Sequence, residues 1–148
     1  MVKNILLAID GSTHARKAID FATDLALRYS AALYLVHVVP GTQIPEEVRE
    51  FISNERVGEP PRNVYMQIAG ERIMQTAEKE VQEKGVKEVR PFVVQGDPAE
   101  KIIKFARDHA VDLIVMGSRG LGLAKELLLG SVSRKVCHLA GCTCVTVK

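Results

Sequence analysis

The residues best suited to chemistry lie between Met116 and Lys135, in the stretch MGSRGLGLAKELLLGSVSRK. Gly117, Gly120 and Gly122 crowd its beginning, and Gly130-Ser131 opens a helical pattern further on. Glycines accept a positive φ and let the backbone approach a ligand closely, so several N–H groups can turn toward one point. A helix tip adds unbonded N–H groups and the positive end of its dipole. This combination suits the holding of an anion, a phosphate above all. Ser131 is positioned to cap the helix, and its hydroxyl or that of Ser133 can reach a phosphate oxygen.

Charge adds a second clue. Near a helix start acids stabilise and bases destabilise by about 0.3–1 kcal/mol each. The helix expected after Asp97 obeys, with Glu100 in its first turn. The helix after Ser12 instead carries Arg16 and Lys17, and the one after Gly130 carries Arg134 and Lys135. An anion docked between those two tips accounts for the pattern; so do basic chains that simply point into water.

For the two tips to meet, the chain must bring them to one edge of a sheet. VKNILLAID is a continuous apolar run, as in parallel strands covered on both faces. Ala15, Ala18, Ile19, Ala22, Leu25, Ala26 and Tyr29 then recur at helical steps. ALYLVHVV reads as strand two. Residues 40–62 hold four of the six prolines and an acidic cluster, Glu46, Glu47 and Glu50, and read as a loop or loosely helical excursion. Ala69, Ile73, Ala77 and Val81 form the row of a second helix, stopped by Gly85. VKEVRPFVVQG is strand three, and DPAEKIIKFARDHA starts with Asp97 as N-cap and Pro98 at the first helical position. VDLIVMG, SVSRKVCHLAG and CTCVTVK complete a β-α-β-α-β-α-β-α-β alternation. That order argues for one domain over 1–148, an α/β fold with a doubly wound parallel sheet and helices on both faces. Ligands of such sheets bind outside the carboxyl ends of the strands where the strand order reverses. With five strands that point falls between strand one, ending at Asp10-Gly11-Ser12, and strand four, ending at Gly117-Ser118-Arg119-Gly120.

Composition narrows the partners. Twenty basic and 18 acidic residues leave a formal charge of +2, too small a pull toward nucleic acid or anionic lipid. Aromatic residues are 5% with no tryptophan, which disfavours a base-stacking platform. No stretch approaches the roughly 20 apolar residues of a membrane span, and the start lacks a secretory pattern, so the expected location is cytoplasmic. The P-loop string is absent, and Gly120-Leu121-Gly122-Leu123-Ala124-Lys125 imitates a dinucleotide fingerprint but ends in lysine and follows the wrong strand.

Gly117, two residues, Gly120, nine residues and Gly130-Ser131 resemble the glycine signature of the ATP-binding branch of universal stress proteins. The likeness runs along the whole chain through ILLAIDGS, LVHVV, GDPAEKIIKFA, DLIVMGSRG and LLGSVSRKV. It implies a Rossmann-like sheet of strand order 3-2-1-4-5. It also implies ATP, with AMP or another adenine nucleotide as the alternative, and Mg2+ or Mn2+ bridging the phosphates. By the resemblance Asp10 contacts the ribose and Val38 lends backbone groups to adenine. Met116 and Gly117 lie by the ribose, and Gly120, Gly130, Ser131, Val132 and Ser133 hold the phosphates, with Arg119 screening them. A homodimer through the C-terminal edge strand 142–147 is implied as well, although Thr143 stands where family members often have proline. The function implied is a nucleotide-dependent regulatory switch in stress response with little or no hydrolysis. The alternatives are a slow ATPase or other adenine-nucleotide-processing enzyme, and a scaffold with an empty site. Neither His-x-Gly-His nor Ser-Gly-Gly-x-Asp-Ser occurs, Glu126 is merely a candidate base, and no catalytic or metal-ligating residue is assigned.

Other residues have plainer readings. Cys137, Cys142 and Cys144 read as buried structural thiols; with His138 they match no zinc spacing, and Cys142 and Cys144 share a strand face unsuited to a mutual disulfide. His37 reads as a satisfied strand histidine and His109 as a complement to its helix dipole. His14 follows the strand-one loop within reach of a bound ligand, and the plainer reading gives it no ligand role. Leu127, Leu128 and Leu129 read as packing against the end of the core, with a gate over a nucleotide as the alternative.

Overall fold

The strands form where the apolar runs are unbroken, because both of their faces are covered. The computed structural model describes residues 1–41, 46–54, 62–119 and 129–148. In chain order the elements are β1 (Asn4–Ala8), α1 (Thr13–Tyr29), β2 (Ala32–Val39), α2 (Glu46–Asn54), α3 (Arg62–Glu83), β3 (Val89–Gln95), α4 (Pro98–Asp108), β4 (Leu113–Gly117), α5 (Ser131–Leu139) and β5 (Thr143–Val147). The five strands make one sheet of order β3-β2-β1-β4-β5, and every pairing is parallel. Ile5 stands beside Leu33 on one side and Leu113 on the other. The order reverses between β1 and β4, as the alternation predicts.

Period-two alternation divides the core into two layers. Ile5 and Leu7 face α1 and α3, where they meet Ala18, Ala22, Met74, Ala77 and Val81. Leu6 faces α4 and α5, among Tyr34, Val36, Ile102, Phe105, Ile114 and Val136. All three β1 side chains are fully buried. Truncating one to alanine removes both transfer energy and packing, about 2–5 kcal/mol.

Helix ends follow the local chemistry. Asp97 caps α4 by accepting from the Glu100 N–H at 2.9 Å, with Pro98 inside the first turn. Ser12 caps α1 through the Ala15 N–H at 3.1 Å. Gly85, at φ +101°, turns the chain after α3. Pro91 lies within β3, an edge strand bonded on one side only, where a missing donor is tolerated. The excursion at 40–62 contains a formed helix, α2, with Glu46 and Glu47 complementing its dipole, and α3 begins at Arg62, well before the Ala69 row. None of the described helices is long and apolar enough to cross a membrane.

The cysteine expectation is corrected. Cys137 is exposed, and Cys142 and Cys144 are half-buried; all three are free thiols. β5 is the sheet edge, with β4 its one neighbour among the described strands.

At the amino ends of the strands, one carboxylate holds β1 against β4. Asp112 accepts the N–H groups of Lys3 at 2.8 Å and Asn4 at 2.9 Å, while its own N–H donates to the Asn4 carbonyl at 2.9 Å. The Asn4 and Lys3 amides hold the Asp112 carboxyl below its ordinary 3.8. A depressed native value stabilises the fold above the ordinary value, and the effect is lost as pH falls through the native one. Asp112→Ala is therefore expected to lower stability by about 0.5–1.5 kcal/mol at neutral pH, with Asp112→Asn recovering part of the loss. In urea unfolding the gap between parent and Asp112→Ala should close toward about pH 2; a gap insensitive to acid rules out the carboxylate clamp.

Candidate functional site

The strand order reverses above β1 and β4, and a cavity of about 460 Å3 opens at their carboxyl ends. Such a volume suits a single small-molecule ligand. Asp10, Val38, Met116, Gly117, Arg119, Gly130, Ser131, Val132 and Ser133 all line it. Gly120, with Gly122, Glu126, Leu127 and Leu128, lies outside the described residues. Leu129 is half exposed rather than packed into the core.

One carbonyl organises the polar end. The Ser118 oxygen accepts the Gly130 N–H at 2.7 Å and the Ser133 hydroxyl at 2.9 Å, while the Ser118 N–H donates to the Val147 carbonyl at 2.8 Å. These bonds tie the ends of β4 and β5 to the tip of α5. Gly130, not Ser131, is the N-cap residue, and it makes no side-chain cap bond. The first helical amide to bond back is that of Arg134, to the Gly130 carbonyl at 3.0 Å. The amides of Ser131, Val132 and Ser133 consequently have no acceptor among the described residues, as a helix tip requires. Ser133 is buried, and with its proton given to Ser118 it offers the cavity a backbone N–H rather than a hydroxyl donor.

The glycines serve close approach more than unusual dihedrals. Gly117 does not have a positive φ; a Cβ there would stand 2.8 Å from the His14 Cβ, so α1 packs directly on the end of β4. Gly11 does turn through φ +81°, with the Ile73 Cδ1 of α3 3.0 Å from where its Cβ would be. This turn aims Asp10, whose Oδ1 accepts the Ser12 N–H at 2.9 Å. Asp10 is the sole carboxylate among the described lining residues. No cluster of three or more His, Cys, Asp or Glu residues able to hold a metal occurs among the described residues.

Three of the four bases at the two helix starts have protein partners. Arg16 pairs with Glu80 of α3 at 3.0 Å, and the Lys135 Nζ lies 3.7 Å from Asp97 and 3.6 Å from Glu100 of α4. The Arg134 guanidinium reaches the Leu129 carbonyl at 3.5 Å. These contacts explain much of the charge pattern without an outside anion.

Several lining residues carry no sequence signal as ligand contacts: Ile9, Pro40, Met66, Pro98 and Ile102. Met66 comes from the part of α3 that the periodicity missed. His37 also lines the cavity, and its Nδ1 lies 2.6 Å from the Ile9 carbonyl. A carbonyl only accepts, so Nδ1 carries the proton and the ring is structurally satisfied, as its strand position suggests. His14 Nδ1 is 3.4 Å from the Ser118 Oγ, behind the cavity wall. His109 caps α4 and stacks on Phe105 with centroids 3.8 Å apart.

Comparison with known proteins follows the same lines. The profile of the universal stress protein family matches residues 1–148. Universal stress protein YxiE of Bacillus subtilis is 36% identical over 159 aligned positions, spanning 100% of both chains. The solved structure of MJ0577, a universal stress protein of Methanocaldococcus jannaschii, has a TM-score of 0.78 at 31% identity over 100% of this chain and 96% of that one. Three structures at 20% identity share the fold: a universal stress protein with cAMP, an Archaeoglobus fulgidus protein with dAMP, and an Arabidopsis thaliana protein with AMP bound. Their TM-scores are 0.74, 0.70 and 0.65, covering 99–100% of this chain and 91–98% of each of theirs. By sequence along its full length and by fold, the chain belongs to the universal stress protein family.

Proposed function

We propose that the chain binds an adenine nucleotide, ATP with Mg2+ or Mn2+, and works as a regulatory switch with little or no turnover. One observation carries this reading: three helix-tip amides, at Ser131, Val132 and Ser133, have no acceptor among the described residues and border a cavity of ligand size. Such amides and the dipole behind them favour phosphate oxygens. In this reading Gly120 and Gly130 let the backbone approach the phosphates, and Arg119 screens them. The Asp10 carboxylate accepts from ribose hydroxyls, a contact that phosphate would oppose by charge. Met116 and Gly117 flank the ribose, and the apolar wall from Val38 to Met66 covers the base. The cations would take their ligands from phosphate oxygens. Relatives of the same fold bound to AMP, dAMP and cAMP support the adenine end.

The switch reading rests on the lining chemistry of the described residues. A hydrolase needs a group to activate water within hydrogen-bond reach. Asp10, the only carboxylate among the described lining residues, is already turned onto Ser12 and assigned to the sugar. The partner state it would report is a cytoplasmic homodimer joined through β5, whose outer edge pairs with no described strand of the single chain. A ligand shifts such an equilibrium only by its differential affinity for the two states.

Calorimetry with magnesium-ATP tests binding, and steady-state phosphate release tests turnover. Saturable binding with release far below about 1 per second is expected; turnover in the ordinary enzymatic range of about 1–1,000 per second overturns the switch reading.

Gly130→Ala separates cradle from fold. Its added Cβ meets Arg119 Cα at 3.4 Å and Ser118 O at 3.5 Å, both ordinary contacts, and φ is −60°. The variant should melt within a few degrees of the parent yet bind ATP at least about tenfold more weakly, a loss of about 1.4 kcal/mol. Unchanged affinity removes Gly130 from the phosphate site.

Asp10→Asn keeps an oxygen for the Ser12 amide and loses the charge. It should weaken adenosine binding more than pyrophosphate binding in competition titrations. Equal losses for the two ligands take the ribose role away from Asp10.

A further inference from the structure

A second cavity, of about 310 Å3, opens between α1 and α3 and shares with the strand-end chamber only the wall at Ile9. Small residues make room for it. Gly11 turns beside it, and Ala15 of α1 and Ala77 of α3 line it where longer side chains would fill the gap. The floor is apolar: Ile9, Ala15, Ile19 and Ala77 are buried, and Ile73 is half-buried.

Charge gathers at the rim. Arg16 pairs with Glu80 at 3.0 Å, Glu80 with Lys84 at 3.0 Å, and Lys84 with Asp20, so bases and acids cancel along the α1–α3 seam. Arg72 is left over. It lines the cavity from an exposed position on α3 and makes no ion pair among the described residues. Three and four residues away on its helix stand Ile68, Ala69, Gln75 and Thr76, none of them an acid. A guanidinium without a counter-charge above an apolar floor matches a ligand with an anionic head and an apolar tail.

We propose that this cleft is a second binding site, for a small amphipathic carboxylate whose head meets Arg72 and whose chain lies over Ile19, Ile73 and Ala77. The room sets the length. At about 30 Å3 for each heavy atom, the share a water takes in the liquid, the cavity accepts about ten atoms, a carboxylate of about eight carbons. Burial of the chain supplies the affinity, and the head fixes its direction. Glu80 on the same rim opposes a doubly charged head, which favours a carboxylate over a phosphate. Ile73 also stands against Gly11, its Cδ1 3.0 Å from where a Cβ there would be, so the chain lies one contact from the bend that carries Asp10. The site itself does not depend on what the strand-end chamber holds.

Full-length isotope-labelled protein titrated with sodium octanoate at constant ionic strength, and followed by amide NMR, tests the site; octanol is the uncharged probe of equal length. Saturable shifts are expected at Gly11, Ile19, Ile73 and Ala77. Arg72→Gln should weaken octanoate about fivefold, the worth of a partly exposed ion pair, and leave octanol unchanged. Thr76→Phe obstructs the cleft from its rim and should weaken both probes at least about tenfold. Both replaced side chains are exposed, and the Thr76 hydroxyl bonds the Arg72 carbonyl of its own helix at 3.0 Å. Melting curves matching the parent's are therefore expected, and they separate lost binding from lost fold. The proposal is overturned by octanoate shifts that do not saturate, or by shifts confined to the strand-end chamber around Val38 and Met116. Arg72→Gln treating the two probes alike, or parent-like binding in Thr76→Phe, overturns it equally.

Discussion

The site depends on a single main-chain oxygen. The Ser118 carbonyl receives both an amide, from Gly130, and a hydroxyl, from Ser133, and its own residue's N–H is held by Val147 at the end of β5. Two donors on one acceptor fix the start of α5 relative to β4, whatever the chain does between them. With Gly130 engaged, the next three amides project past it without intrahelical partners. A buried carbonyl with one donor too few would leave the tip free to pivot, and its dipole would no longer aim at a fixed point. Preorganisation of this sort lets a ligand avoid the cost of ordering its own receptor.

The glycines around that oxygen divide their labour. Gly117 lets α1 lie against β4, Gly130 leaves room beside the α5 tip, and of these three only Gly11 takes a left-handed dihedral. Each addresses a different steric constraint, although in the sequence they look alike.

Legibility followed the range of the interactions concerned. The strand runs and the Asp97-Pro98-Glu100 start could be read because apolar periodicity and capping are local in sequence. The reversal between β1 and β4 was legible because chain connectivity restricts parallel sheets so strongly. Ser131 was misread as the cap because the choice between Gly130 and Ser131 is made by Ser118, twelve or more residues away. The basic helix starts looked unpaired for the same reason, since Glu80, Asp97 and Glu100 lie on other elements. The cysteines were read as buried from residue type, whereas exposure at a sheet edge is a property of strand order. α2 was hidden among prolines, and with it went the early start of α3 that brings Met66 to the cavity.

That helix has an unusual reach. At its beginning Met66 forms part of the cavity wall, and two turns on Ile73 braces the back of the Gly11 bend that aims Asp10. α3 thus touches the chamber wall at Met66 and, through Ile73, the bend next to the chamber's carboxylate. A slide or tilt of this one rod alters the chamber's width and its carboxylate's bearing together. Substitutions on its outer surface can therefore retune what the chamber accepts without any of them touching the occupant.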